Sequence, residues 1–372
     1  MKIVVIANTS WYLFNFRKRL IQELKRKGHR VYCISPYDAY VQNLLDLGAK
    51  YRPWKVSARG QNVIQELSSC VRLFFILRKI RPDYVLTFTV KGNLYTGLCS
   101  HFLFYKQIAN ISGLGEIFED HGKLSILRDG FYRCGLSRAK WVFFQNNEDL
   151  DLIVHTKAIV DPARCSRIPG SGVDLDKFQN HNSVTSRDLT KRIFLIYGRF
   201  VPKKGFDLFL QAARYLRNTY SDKVEFLVMG SKYSTIQDSE DLFQKILAYH
   251  RDGIIKYLEW SDDVLPILHQ SDVIVSPTQY HEGVPRTLLE GMACGKPLIT
   301  TDWKGARDTV DHGENGFLFK PGDCRGLIDC MTRYIEMSRD KLLTMGEASR
   351  NKAESEFNEE AILKSYFDQI QE

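Results

Sequence analysis

Short apolar runs alternate with longer amphipathic stretches along the whole chain, the grammar of repeated β-strand–helix–β-strand units around parallel sheets. In the first half this pattern predicts strands near residues 2–8, 29–35, 84–89, 106–111 and 140–146. A helix over about 15–27 is closed by Gly28, and another over about 61–80 ends at Arg81-Pro82, because the residue before proline avoids the helical region. The second half restarts the pattern. Strands are predicted near 192–198, 224–229, 254–258, 272–276, 297–301 and 316–319, with helices near 205–218, 238–250, 263–270, 286–294, 305–310 and 323–337. The tail from about 339 reads as helical, with Phe357 placed to break it in two. Gln179 to Asp188 is polar and aperiodic, a linker by composition. The reading is α/β, two Rossmann-like parallel-sheet domains facing a cleft.

A chain of 372 residues is too long for one ordinary core and suits two domains. Hydrophobic content of 44% and charged content of 26% are those of a globular protein, and no apolar run reaches the length of a membrane span. The first residues, one lysine and then a short strand-like run, do not read as a signal peptide. Eight cysteines form no CxxC pair and no zinc-ligand spacing, so they read as reduced thiols of a cytoplasmic protein. No metal site is expected.

Charge is uneven. Residues 1–180 hold 27 Lys and Arg against 15 Asp and Glu, a net of +12, while residues 181–372 hold 25 against 29, a net of −4. One domain therefore suits a polyanion. Basic residues stand beside aromatic ones in three places: Trp11 to Arg19, Val71 to Lys79 and His101 to Lys106. On amphipathic helices such mixtures suit an anionic membrane surface and a lipid diphosphate. No RNA-binding signature accompanies the charge, so nucleic acid is not expected as a partner. The first strand runs into Asn8-Thr9-Ser10-Trp11-Tyr12, not into GxGxxG, which argues against a dinucleotide oxidoreductase.

The most specific stretch is His281-Glu282-Gly283-Val284-Pro285-Arg286-Thr287-Leu288-Leu289-Glu290. It puts two carboxylates eight positions apart between a strand's carboxyl end and a helix's first turns, where backbone N–H groups and the helix dipole favour an anion. Glu282 is expected just before the helix and Glu290 about two turns into it. Upstream, Gly198-Arg199-Phe200-Val201-Pro202-Lys203-Lys204-Gly205 puts one cation at a strand's end and another just before a helix.

Together these motifs resemble the retaining family-4 glycosyltransferases of GT-B fold, whose signature is two glutamates with seven residues between them in this setting. The Lys91-Gly92-Asn93, Gly113-Leu114-Gly115 and Gly170-Ser171-Gly172-Val173-Asp174 stretches are similar to the bacterial branch that extends undecaprenyl-diphosphate-linked sugars for capsule, O-antigen or N-glycan assembly. The resemblance implies that Arg199 and Lys204 clamp the diphosphate of a UDP-sugar. It implies that Glu282 contacts the donor sugar beside the reacting carbon and that Glu290 accepts the ribose hydroxyls. The backbone of Gly283, Val284, Arg286 and Thr287 would face the sugar and phosphates, Pro285 having no N–H to offer. Gly113 and Gly115 would approach the donor sugar, Trp260 would border the base, and Lys91, Glu116 and His121 are candidates on the acceptor side. It also implies a metal-independent enzyme without a cofactor, peripheral on the cytoplasmic face of the inner membrane. The domains would be 1–180, joined by a returning helix at about 356–372, and 190–355. Competing readings are a sugar-nucleotide 2-epimerase of the same fold, a transferase with a soluble acceptor, and a non-enzymatic binder.

Overall fold

The computed structural model describes residues 1–56, 63–114, 118, 125–179, 190–232 and 237–370. The chain forms two compact units, Met1–Ile168 with Leu363–Glu372, and Pro169–Ile362.

The first unit is built on a parallel sheet of β1 (Lys2–Ile6), β2 (Arg30–Ser35), β3 (Lys50–Pro53), β4 (Tyr84–Thr87), β5 (Lys106–Ile111), β6 (Trp141–Phe144) and β7 (Cys165–Arg167). Their order is β3-β2-β1-β4-β5-β6-β7. The helices are α1 (Ser10–Arg26), α2 (Val41–Asp46), α3 (Val63–Ile80), α4 (Val90–Cys99), α5 (Ser125–Leu136) and α6 (Asn147–Leu150), the last running into a π-helical turn at Asp151–Thr156. Ile3 to Ile6 are wholly buried, as expected of a strand covered on both faces.

Several elements escape the sequence pattern for identifiable reasons. Helix α1 begins five residues before its predicted start. The Thr9 hydroxyl accepts from the Tyr12 N–H at 3.0 Å, and Asp38 accepts from the N–H groups of Ser10 and Trp11 at 2.7 and 3.0 Å. Half of that cap comes from a loop 28 residues away. Helix α4 is buried nearly all round and so lacks an amphipathic period. The aromatic run of α1 is part-buried rather than a free surface. Trp11 and Tyr12 pack edge-on to Phe16, and the buried Arg17 lies 4.2 Å over the Phe88 ring. Phe75, Phe102 and Phe104, by contrast, are exposed.

The second unit has a parallel sheet of β8 (Arg192–Phe200), β9 (Val224–Lys232), β10 (Lys256–Glu259), β11 (Val273–Ser276), β12 (Leu298–Thr301) and β13 (Gly316–Phe319), in the order β10-β9-β8-β11-β12-β13. That is the doubly wound order of nucleotide-binding sheets. Its helices are α7 (Phe206–Tyr220), α8 (Gln237–Arg251), α9 (Leu265–Gln270), α10 (Arg286–Ala293), α11 (Cys324–Glu336) and α12 (Arg339–Glu356), followed by α13 (Glu359–Gln369). The predicted helix at 305–310 is only a 3₁₀ turn, Arg307–Thr309.

The change of unit falls at Ile168–Pro169 rather than near 180, and the return at Leu363, inside α13, rather than near 356. Residues 169–179 belong with the second unit because they are stitched to the break between α12 and α13. Val173 donates to Phe357 O at 2.8 Å and accepts from Glu359 N at 3.2 Å, while Arg350 donates to Phe178 O at 2.6 Å. Residues 363–369 join the first unit. There Tyr366 is buried between Phe88 and Phe143, and its hydroxyl meets the Asn110 amide. Among the described residues, no helix is long and apolar enough to cross a membrane.

Candidate active site

In the second unit the strand order reverses between β8 and β11, and a ligand crevice forms outside the carboxyl ends of strands at such a point. Arg199, the residue before last in β8, stands exposed at this edge. The chain then makes a 3₁₀ turn, Pro202–Lys204, and passes through Gly205 at φ 81°. A Cβ at Gly205 would sit 2.1 Å from Pro277 O, so only glycine lets this loop lie against the end of β11. Gln279 N–H donates to Lys203 O at 2.7 Å and laces the two loops together.

That lacing brings Lys204 onto the carboxylate-bearing loop. Its ammonium forms an ion pair with Glu282 Oε1 and lies 5.6 Å from the Tyr280 ring centre. Both partners are largely shielded, with side chains 16% and 23% exposed, so the pair is screened less than a surface one. The loop is pinned from behind. Val284 points into the core, Gly170 approaches its Cβ, and Gly305, at φ 74°, lies where a Cβ would be 2.2 Å from Gly283 O. The edge of the buried His281 ring meets Trp303 at 5.3 Å.

Pro285 caps α10, and Arg286 and Thr287 occupy its first two positions, where backbone N–H groups have no carbonyl of their own helix to bond. Glu290 is the fifth helical residue, about one turn in rather than the expected two. Its Oε2 accepts from the Tyr197 hydroxyl at 2.8 Å and its Oε1 from Arg286 Nε at 3.0 Å. Burial first, and the Glu290 charge second, push the Tyr197 phenol well above its ordinary range, so it stays a donor. The two glutamates thus hold different partners, Lys204 for one and Tyr197 with Arg286 for the other. Trp260 follows the edge strand β10, part-buried, and its indole N–H donates to Asp262 Oδ1 at 3.1 Å.

In the first unit Gly113 follows β5 at φ 133°, and Leu114 N–H donates to the buried Asp149 at 3.2 Å. Lys91, just after β4, pairs with Glu66 Oε1 of α3 at 2.7 Å, and the Tyr95 hydroxyl meets the other oxygen of Glu66. Gly115, Glu116 and His121 lie outside the described residues. Sequence reasoning passed over Glu66, Tyr95, Asp149, Tyr197 and Tyr280. Only Tyr197 carried a signal, a polar group in an otherwise apolar strand directly before Gly198-Arg199.

Chemically, the edge of the second unit offers cations and helix-start N–H groups for an anion, and carboxylates for hydroxyl donors. Residues 177–352 match the family described as Glycosyl transferases group 1, and residues 2–146 match Glycosyl transferase 4-like. The chain is 24% identical to the N,N'-diacetylbacillosaminyl-diphospho-undecaprenol alpha-1,3-N-acetylgalactosaminyltransferase of Campylobacter jejuni, covering 98% of this chain and 97% of that one. It is 28% identical to the UDP-Gal:alpha-D-GlcNAc-diphosphoundecaprenol alpha-1,3-galactosyltransferase of Escherichia coli, covering 81% and 78%. Among solved structures, Anabaena HepE in complex with UDP and glucose superposes with a TM-score of 0.80 at 18% identity, over 100% of this chain and 99% of that one. With both halves matched in sequence and both sheets in fold, the chain belongs to the GT-B glycosyltransferases, a 4-like domain in its first half and a group 1 domain in its second.

Proposed function

We propose that this glycosyltransferase moves a hexose or N-acetylhexosamine, with retention, from a UDP-sugar to an undecaprenyl-diphosphate-linked saccharide in bacterial surface-glycan assembly. The observation that carries the reading is the Lys204–Glu282 pair at the reversal of strand order, with Glu290 held one helix turn beyond it. In this reading Arg199 and Lys204 neutralise the diphosphate, Glu282 contacts the donor sugar, Glu290 holds the ribose, and the N–H groups at the start of α10 complete the anion site. Before the donor arrives, Glu282 keeps Lys204 in place. Diphosphate and sugar then replace that contact with two separate ones.

As the bond from the anomeric carbon to the departing phosphate oxygen breaks, an acceptor hydroxyl bonds to that carbon on the same face. The departing phosphate oxygen takes the hydroxyl proton, and UDP leaves. Charge accumulates on the diphosphate in the transition state, where the two cations stabilise it most. The near full-length similarity to a C. jejuni enzyme named for a diphospho-undecaprenol-linked sugar supports the acceptor class.

The same reading has the protein working at the cytoplasmic face of the inner membrane. Val71, Phe75, Phe102 and Phe104 of the first unit are 46, 58, 76 and 100% exposed, amid exposed Arg72, Arg78, Lys79 and Lys106. Such a surface suits anionic lipid.

A screen of UDP-sugars, measuring UDP release with and without crude lipid-linked acceptor, tests the proposal. Release that depends on acceptor is expected with one or a few donors. Release with none of them would overturn it, and a new sugar nucleotide formed without acceptor would establish an epimerase instead.

A further inference from the structure

The buried surroundings of Glu290 carry one more conclusion, which rests on reading that carboxylate as the ribose ligand. We infer that Tyr197 and Arg286 are positioning residues that leave Glu290 one free acceptor site on each oxygen, a pattern fitted to a vicinal diol, so that together they set the enzyme's preference for ribonucleotides.

A carboxylate offers about four acceptor sites, two per oxygen. Tyr197 occupies one on Oε2 at 2.8 Å, and Arg286 Nε occupies one on Oε1 at 3.0 Å. What remains is one site per oxygen, matching the two adjacent hydroxyls of a ribose ring. The Tyr197 hydroxyl also lies 3.2 Å from Thr287 O, but it has one proton, and the charged oxygen is the closer and stronger acceptor. Arg286 is itself steadied, with a terminal guanidinium nitrogen 3.5 Å from Ser171 Oγ. Tyr197 is 5% exposed, so water does not substitute for its hydroxyl. A carboxylate fixed in this way meets the diol without first choosing a rotamer, which is where preorganisation gains affinity. Both side chains bond the Glu290 carboxylate, so both act through it.

The experiment is calorimetric binding of UDP and of 2′-deoxy-UDP to the full chain, as wild type and as Tyr197→Phe, Arg286→Gln and Glu290→Gln. Wild type is expected to prefer UDP. Tyr197→Phe, which keeps the ring volume, is expected to weaken UDP binding about tenfold, the scale of one hydrogen bond to a charged group, while 2′-deoxy-UDP changes much less. Arg286→Gln, at a part-exposed site, should narrow the preference in the same direction and serves if the buried variant folds poorly. In turnover the loss should fall on KM for the donor more than on kcat. If Glu290→Gln abolishes the preference while Tyr197→Phe and Arg286→Gln retain it, the inference is overturned and the ribose reading stands. If Glu290→Gln itself keeps the wild-type preference, the ribose reading fails and takes the inference with it.

Discussion

At the residue scale the decisive feature is that two oppositely charged side chains on neighbouring loops find one another. Lys204 and Glu282 are separated by 78 positions yet form a shielded pair. Removing either therefore does two things. It deletes the contact to the donor that the proposed function assigns, and it leaves the other charge without its resident partner. Replacing Lys204 or Glu282 by alanine is expected to lower turnover at least a hundredfold, on the order of losing one transition-state electrostatic contact, as read by steady-state UDP release. Wild-type rates in either variant would contradict the proposed roles. Gly205→Ala is expected to act through geometry. A left-handed backbone and a Cβ aimed at Pro277 O should cost about 2–3 kcal/mol in denaturant unfolding and displace Lys204 as well. The motif glutamates and cations were legible in the sequence because residue types at fixed offsets in a strand–loop–helix are local information. Tyr197 as a partner of Glu290, and Glu66 as the holder of Lys91, were not. Those pairs span 93 and 25 positions, and no periodicity encodes them.

At the scale of elements, the sheet of the second unit is tied at its amino edge as firmly as its carboxyl edge is shaped for chemistry. Asp272, only 5% exposed, begins the approach to β11. Its Oδ2 accepts from Ile193 N–H at 2.8 Å, and its Oδ1 meets Arg339 at 2.5 Å and Arg192 at 4.0 Å. This joins β8, β11 and the start of α12. Asp272→Ala would remove the carboxylate that the Ile193 N–H and Arg339 share, and is expected to destabilise the unit by about 1–3 kcal/mol in chemical denaturation. Donor affinity extrapolated to the folded fraction should change little, since the site lies at the other edge of the sheet. Long, strongly periodic elements such as α3, α7, α11 and the central strands were readable from their hydrophobic spacing. The short, part-exposed strands β3 and β7 were not, because four and three residues carry too little alternation to read, nor was α4, which is buried nearly all round and has no polar face.

At the scale of the molecule, charge and apolar exposure both gather on the first unit. Binding to anionic vesicles at low salt is expected to fall when Phe102 and Phe104 are both changed to serine, and to stay intact with Tyr215→Ser, a 56%-exposed aromatic of the second unit. Raising the salt toward 1 M should release the protein, because the Debye length then shrinks to about 3 Å. Unchanged binding of the double-serine variant would rule out that surface as the membrane contact.

The sequence by itself determined the α/β class, the restart of the strand–helix pattern in the second half, the basic character of the first half, and the offsets of Arg199, Lys204, Glu282 and Glu290, since all of these are properties of neighbouring residues or simple sums. Only the tertiary structure decided that Lys204 meets Glu282, that Tyr197 and Arg286 hold Glu290, that residues 169–179 are stitched to the second unit, and that the aromatics of α1 pack on one another, part-buried, while Phe102 and Phe104 remain outside. The physical reason is the same for each: partners far apart in the chain are chosen by the competition of whole surfaces for burial, and that competition is settled only when the chain has folded.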